Sequence, residues 1–155
     1  MSIEQNLQSE PVTQLDLSEY TVVESGTSVR DTIRQMRNEK RNCAFIVKQG
    51  TLVGIFTDRD VLRRVVDHPE IWDHPIDEVM THHPRTIRGD QPTGAGLQFM
   101  NDLHFRNTPV LDEDGNIIGN MTYFSLIRYL ADHFPTEVLN LPPDPDNYGE
   151  ERHGG

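Results

Sequence analysis

Gly54-Ile55-Phe56-Thr57-Asp58-Arg59-Asp60, running on into Val61-Leu62-Arg63-Arg64-Val65-Val66, is the stretch whose reading decides the fold. It reads as the end of a buried strand, a polar corner and a short amphipathic helix. Gly54 permits close backbone approach at a strand position, and Ile55 and Phe56 suit a buried pleat. Thr57 is a favoured helix N-cap, and Asp60, three residues on, completes the pattern of a capping box. Val61, Leu62, Val65 and Val66 supply the apolar side of the helix. The corner admits two readings. A helix cap accounts for Thr57 and Asp60 without any ligand. A hydroxyl and a carboxylate at a helix start also suit sugar hydroxyls, with N–H groups nearby that favour an anion.

The same corner occurs twice. A shift of 64 places Pro11-Val12 on Pro75-Ile76, Leu15 on Val79, Val23 on Ile87, Ile33 on Leu97, Met36 on Met100 and Ile46-Val47 on Val110-Leu111. One extra residue in the turn Asp112-Glu113-Asp114-Gly115 raises the shift to 65. Gly50 then meets Gly115, Gly54 meets Gly119, Thr57 meets Thr122 and Arg63 meets Arg128. The period is too long for a solenoid unit, so two copies of one small unit are expected rather than an array. Each copy reads strand, helix, strand, strand, helix. The two strands joined at Gly50 or Gly115 are expected antiparallel, and the strand before the helix is expected to join by a right-handed crossover. So small a unit buries too little apolar surface alone. The fold expected is therefore α/β (α+β), two β-α-β-β-α repeats packed about a pseudo-twofold axis.

The boundaries that follow are a flexible N-terminal arm or short docking segment at 1–10, a first repeat at 11–68, and a linker at 69–75. A second repeat follows at 76–134, then a Pro-rich, largely disordered tail at 135–155. In the first repeat Thr21-Val22-Val23 is a strand, Ser28 caps a helix ended by Lys40-Arg41-Asn42, and Cys43 to Val47 is a run suited to burial on both faces.

The 155 residues carry a formal charge of -11, which argues against non-specific binding to nucleic acid or to an anionic membrane. It leaves room for a phosphate ligand in a local basic pocket. The single cysteine, Cys43, excludes an internal disulfide. Neither a signal peptide nor a bilayer-spanning stretch is legible, so a cytoplasmic protein is expected.

The segments LVGIFTDRDVLRRVV, IDEVMTHHPRTI and RNTPVLDEDGNIIG, in this order, resemble a tandem pair of cystathionine-beta-synthase (CBS) domains, a Bateman module, over about Pro11 to Phe134. The resemblance implies clefts between the repeats that take adenine nucleotides (AMP, ADP or ATP) or, in some members, S-adenosylmethionine. It implies one site in which Thr57 and Asp60 hold the ribose, and Ile55 and Pro109 press on the adenine. Arg106, with His104, meets phosphate, and Arg85, Thr86, Asn107 and Thr108 complete the wall. The second site implied pairs Thr122 and Ser125 with Thr21, Val22, Asn42, Cys43 and Ala44, and with Lys40 or Arg41 for phosphate. Ser125 stands there in place of the ribose aspartate, and Asp16-Leu17-Ser18 stands where the second repeat has Met80-Thr81-His82. The second site is therefore expected to be the weaker, and Ser125→Asp is expected to strengthen it.

Other constellations carry less. His82 and His83 are adjacent and point to opposite faces of an extended chain, and no residue set has metal-ligand spacing. Cys43 lies in an apolar run where a small core residue is wanted. Gly94-Ala95-Gly96 lacks the spacing of a phosphate loop and suits close helix packing. Two functions compete. One is a regulatory module, not an enzyme and without a catalytic cofactor, that senses an adenine nucleotide and acts in trans on an unidentified protein partner, as a homodimer. The other is a constitutive dimeric scaffold with vestigial sites.

Overall fold

Two small sheets, one per repeat, carry the chain in the computed structural model, which describes residues 2–134. The expectations for 135–155 lie outside the described residues. In the first repeat, strand β1 (Thr21–Glu24) leads into helix α2 (Val29–Glu39), then β2 (Cys43–Lys48), β3 (Thr51–Thr57) and helix α3. Helix α3 opens as an α-turn (Asp58–Asp60) and continues as a π-turn (Val61–Val65). A short strand β4 (Thr81–His82) joins the edge of this sheet. The second repeat has β5 (Ile87–Arg88), α4 (Thr93–Leu103), β6 (Asn107–Leu111), β7 (Ile117–Thr122) and α5 (Tyr123–His133). The order is β1-β2-β3-β4 in one sheet and β5-β6-β7 in the other.

Local chemistry explains these elements. The Ser28 hydroxyl accepts from the Asp31 N–H at 3.0 Å and starts α2, which Lys40 closes in the left-handed conformation at φ 55°. Gly50 and Gly115 turn the two hairpins at φ 78° and 85°, where a side chain is disfavoured. β1 and β5 run parallel to their neighbours, and each hairpin is antiparallel with a register break at the same place, Ile46/Val47 and Val110/Leu111. A shared irregularity of this kind is what duplication of one unit leaves behind.

The cores do not follow the repeats in sequence. Val12 and Leu15, which precede the first repeat's sheet, are buried with Met100, Val110 and Met121 of the second. The Val12 N–H donates to the Gln91 carbonyl at 2.8 Å, and the Thr13 N–H to that of Gly89 at 3.2 Å. Reciprocally, Ile76, Val79 and Met80 are buried with Met36, Ile46 and Phe56 of the first repeat. The Ile76 N–H there donates to the Thr27 carbonyl at 2.7 Å. Each repeat completes the other's core, which answers the shortage of apolar area in a unit of this size. A third cluster, Cys43, Phe45 and Ile55 with Ile117 against it, joins the two halves.

The N-terminal segment departs from a flexible arm. Ile3–Ser9 forms helix α1, with Ser2 and Gln5 in a capping box, and Ile3 and Leu7 pack on the second core. Only these two apolar residues, one turn apart, carry the helical period, so a mostly polar segment concealed it. Gly94 makes room for this helix, since a side chain there would press on the Leu7 carbonyl, and one at Gly96 would press on Met121.

Candidate functional site

The corner between β3 and α3 opens on a cleft of about 570 Å³, whose far wall belongs to the second repeat. Ile55, Thr57 and Asp60 line it from one side, and Arg85, His104, Arg106, Asn107 and Pro109 from the other. Ile55 and Pro109 are buried and form apolar wall. Two expected residues are not in the lining. Thr108 is wholly buried, because neighbours on β6 alternate faces and those of Asn107 and Pro109 are taken by the cleft. Thr86 is half-buried just beyond Arg85, outside the lining. The structure adds residues that the motif did not mark, above all Arg59, Arg63 and Arg64 on α3, with His83 and Pro84 opposite. The signal was present in the i, i+4 spacing of Arg59 and Arg63. Arg64 likewise stands four residues beyond Asp60, which lines the cleft, so the same helical spacing places it there.

The capping reading of the Thr57–Asp60 corner is met. Asp60 Oδ2 accepts from the Thr57 N–H at 2.9 Å and from its hydroxyl at 3.3 Å, so the capping role is occupied. Asp60 Oδ1 faces only the Arg64 Nε, at 3.8 Å, beyond hydrogen-bond range. Asp60 Oδ1 thus carries an ion pair to Arg64 but no hydrogen bond. Arg64 in turn donates from Nη1 to the Val79 carbonyl at 2.9 Å, tying the second repeat's leading segment to this corner. Behind the corner, Met80 lies on Gly54, where any side chain would strike its sulfur. Cys43 is buried beneath; burial, and then the nearby Asp58 and Asp60 charges, push its thiol far up, so the thiolate is not available.

The pseudo-equivalent corner is different in kind. Thr122 and Ser125 are both buried. The Ser125 hydroxyl donates to the Thr122 carbonyl at 2.7 Å and accepts from the Thr122 N–H at 2.9 Å, which spends it within the cap. Of the residues expected opposite, some are engaged with neighbouring carboxylates or buried in the core and others are exposed. The Thr21 hydroxyl donates to Glu39 at 2.6 Å, Arg41 pairs with Glu19 at 3.1 Å, and Cys43 and Ala44 are buried. Lys40 is the left-handed cap of α2, Asn42 is exposed, its carbonyl accepting from the Asp58 N–H, and Val22 is exposed on β1. Asp16 to Tyr20 covers the corner. Leu17 sits on Gly119, the Asn120 N–H donates to the Leu17 carbonyl at 2.8 Å, and Tyr20 stacks on Phe45 at 4.9 Å. The Ser18 hydroxyl donates to Asp16, and this bond first, then that from the Ser18 N–H, holds the carboxyl below its usual range. The expectation that Ser125→Asp would strengthen a second site supposes that its other contacts survive, and Ser125 is buried in the cap, where a carboxylate would be buried too.

Among the described residues, no group of three or more His, Cys, Asp or Glu is gathered as metal ligands, and no helix is long and apolar enough to cross a membrane.

Residues 12–67 and 76–132 each match the CBS domain. The arabinose 5-phosphate isomerase KdsD of Pseudomonas aeruginosa is 31% identical over 105 residues, 66% of this chain and 32% of that protein. The chain thus spans about a third of the length of the isomerases it matches. Among solved structures, CBSX2 in complex with AMP has a TM-score of 0.68 at 23% identity, covering 79% of this chain and 96% of that one. The CBS domain pair of protein MJ0100, in complex with 5'-methylthioadenosine and S-adenosyl-L-methionine, has a TM-score of 0.67 at 24% identity, covering 77% and 98%. At that identity the likeness speaks for the fold. With both repeats matched and their cores interlocked, the chain belongs to the CBS-domain family, as a tandem pair of CBS domains.

Proposed function

We propose that this CBS pair is a regulatory module that binds an adenine nucleotide in the cleft at the Thr57–Asp60 corner and passes its occupancy to a protein partner in trans. The observation that carries this is the Asp60 carboxylate, whose Oδ1 meets Arg64 at 3.8 Å without a hydrogen bond, placed in a cleft with arginines on both walls. A carboxylate oxygen suits the two ribose hydroxyls as acceptor, Ile55 and Pro109 offer apolar faces to a purine, and Arg85 and Arg106 supply guanidinium for phosphate. Thr86 and Thr108 support the wall from behind. The bound forms of CBSX2 and of the MJ0100 pair are consistent with an adenosyl ligand. The second corner is the weaker or vestigial one. No group in the cleft forms a nucleophile–base pair, and the module acts as a sensor, not as an enzyme.

The module works as a homodimer. The apolar helix faces expected to carry the contact are Val61, Leu62, Val65, Ile127, Tyr129 and Leu130; of these Val65 and Tyr129 are buried in their own cores, while Leu62 and Ile127, joined by Val66 and Phe124, are 54–76% exposed. Four such residues on α3 and α5 are more than scattered surface apolars explain. Calorimetry and melting curves with AMP, ATP, NAD and S-adenosylmethionine test the binding. One ligand at about 100 times its dissociation constant raises stability by about 2.7 kcal/mol. No binding and no shift with any of the four leaves the scaffold reading in its place. Sedimentation showing a monomer at micromolar concentration, with and without nucleotide, overturns the dimer.

A further inference from the structure

The arginines of this chain divide by what they already hold. Arg30, Arg34, Arg41, Arg64, Arg88 and Arg128 each stand within 4.0 Å of a carboxylate. Arg37, Arg59, Arg63 and Arg85 have no carboxylate partner in an ion pair among the described residues, and the last three of these four line the one cleft. Composition does not force this, because 25 acidic residues face 14 basic ones along the chain. Nor does the repeat architecture. At the equivalent positions of the second repeat Arg59 becomes Phe124, Arg85 corresponds to Thr21, and the counterpart of Arg63, Arg128, is paired with Asp16 at 3.1 Å. Two of the three guanidiniums come from α3 and one from the facing wall, so a ligand between them meets positive charge from both sides. The lining as a whole sets the guanidiniums of Arg59, Arg63, Arg64, Arg85 and Arg106 against the carboxylates of Asp58 and Asp60, so positive charge is in excess in a partly closed hollow, and an anion relieves its repulsion.

We propose that the cleft selects a nucleotide by its phosphate chain, preferring di- and triphosphates to the monophosphate and rejecting ligands whose 5' group is cationic, as in a sulfonium. This rests on the adenine-nucleotide binding proposed above and gives it a ligand class. A monophosphate carries about two charges at neutral pH, too few to engage three unpaired guanidiniums. Each further phosphate adds charge and acceptor oxygens, and guanidinium forks meet such oxygens in pairs. A sulfonium adds a further cation to the same space.

Calorimetry on the full chain, in magnesium-free buffer at low and at moderate salt, compares adenosine, AMP, ADP, ATP and S-adenosylmethionine. ATP and ADP are expected to bind at least tenfold tighter than AMP, with a preference that shrinks as salt screens the arginines. The double variant Arg59→Gln/Arg63→Gln is expected to bring ATP to within about threefold of AMP, a near-complete loss of the charge-assisted bonds. Arg37→Gln, which removes an arginine on α2 outside the cleft lining, leaves the ratio unchanged. AMP binding as tightly as ATP, or S-adenosylmethionine as tightly as ADP, overturns the selectivity while leaving the adenosyl site standing. Failure of every adenosine compound to bind removes both. The wild-type ratios decide the matter even if the double variant does not fold.

Discussion

The two β-strand-to-helix corners descend from one design, yet only the first keeps an opening. At the first, Asp60 is 14% exposed with one oxygen ion-paired to Arg64 but without a hydrogen bond, and the segment from Thr81 to Arg85 runs along the rim of a cleft. At the second, Ser125 is 5% exposed with its hydroxyl committed both as donor and as acceptor, and the segment from Asp16 to Tyr20 lies across it. Both leading segments lie along the edge of the sheet, Thr81 beside Ile55 and Leu17 beside Asn120, but the group over Gly54 is the flexible thioether of Met80, whereas the group over Gly119 is the Cβ and carbonyl of Leu17. Asp16 then turns back on Ser18 and is held by Arg128. A duplicated unit can thus retain its fold in both copies while one copy converts its ligand corner into packing.

The largest effect should come from forcing the second corner to resemble the first. Ser125→Asp places a carboxylate among buried groups, and unfolding titrations should show a loss of several kcal/mol, with no second nucleotide equivalent by calorimetry. A gain of a binding equivalent would show that the covering segment opens readily. The converse change acts on binding. Asp60→Ala should weaken adenine nucleotides about tenfold to a hundredfold, from loss of bonds to a charged acceptor worth about 1.5–3 kcal/mol. It should also cost about 0.5–2 kcal/mol of stability through the lost cap. A stability loss with unaltered affinity would reduce Asp60 to its capping role.

The paired glycines sharpen the comparison on packing alone. Gly119→Ala meets the Cβ and carbonyl of Leu17, which are fixed to the backbone, and should cost about 1–3 kcal/mol in melting experiments. Gly54→Ala meets only the thioether of Met80, which can swing aside, and should cost less. Equal losses would deny the difference in how the two segments are seated.

The smallest effect is electrostatic. Asp16, held low by the Ser18 hydroxyl first and with help from Arg128, is more readily ionised folded than unfolded. Its stabilisation is therefore present above the ordinary carboxylate value of 3.8 and fades as pH falls through the lower folded value. Arg128→Ala removes one exposed bridge and should lower stability at neutral pH by under about 1 kcal/mol. The difference should narrow in strong acid.

The sequence by itself determined the repeats, their strand and helix order, the hairpin glycines and the Thr57–Asp60 corner. Each of these is set by local chemistry: a period of apolar residues, a capping side chain, a residue tolerant of positive φ. It also marked Ser125 and Asp16-Leu17-Ser18 as departures. Tertiary structure decided the rest. That Pro11 to Leu15 completes the second core, and Pro75 to Met80 the first, depends on contacts far apart in sequence, which no local period encodes. Helix α1 was hidden because two apolar residues suffice when a partner helix with Gly94 is waiting. The cleft's charge escaped the motif for a similar reason. Arg59 with Arg63, and Asp60 with Arg64, reach it from one side of α3, and Arg85 meets them only because the two repeats pack against each other.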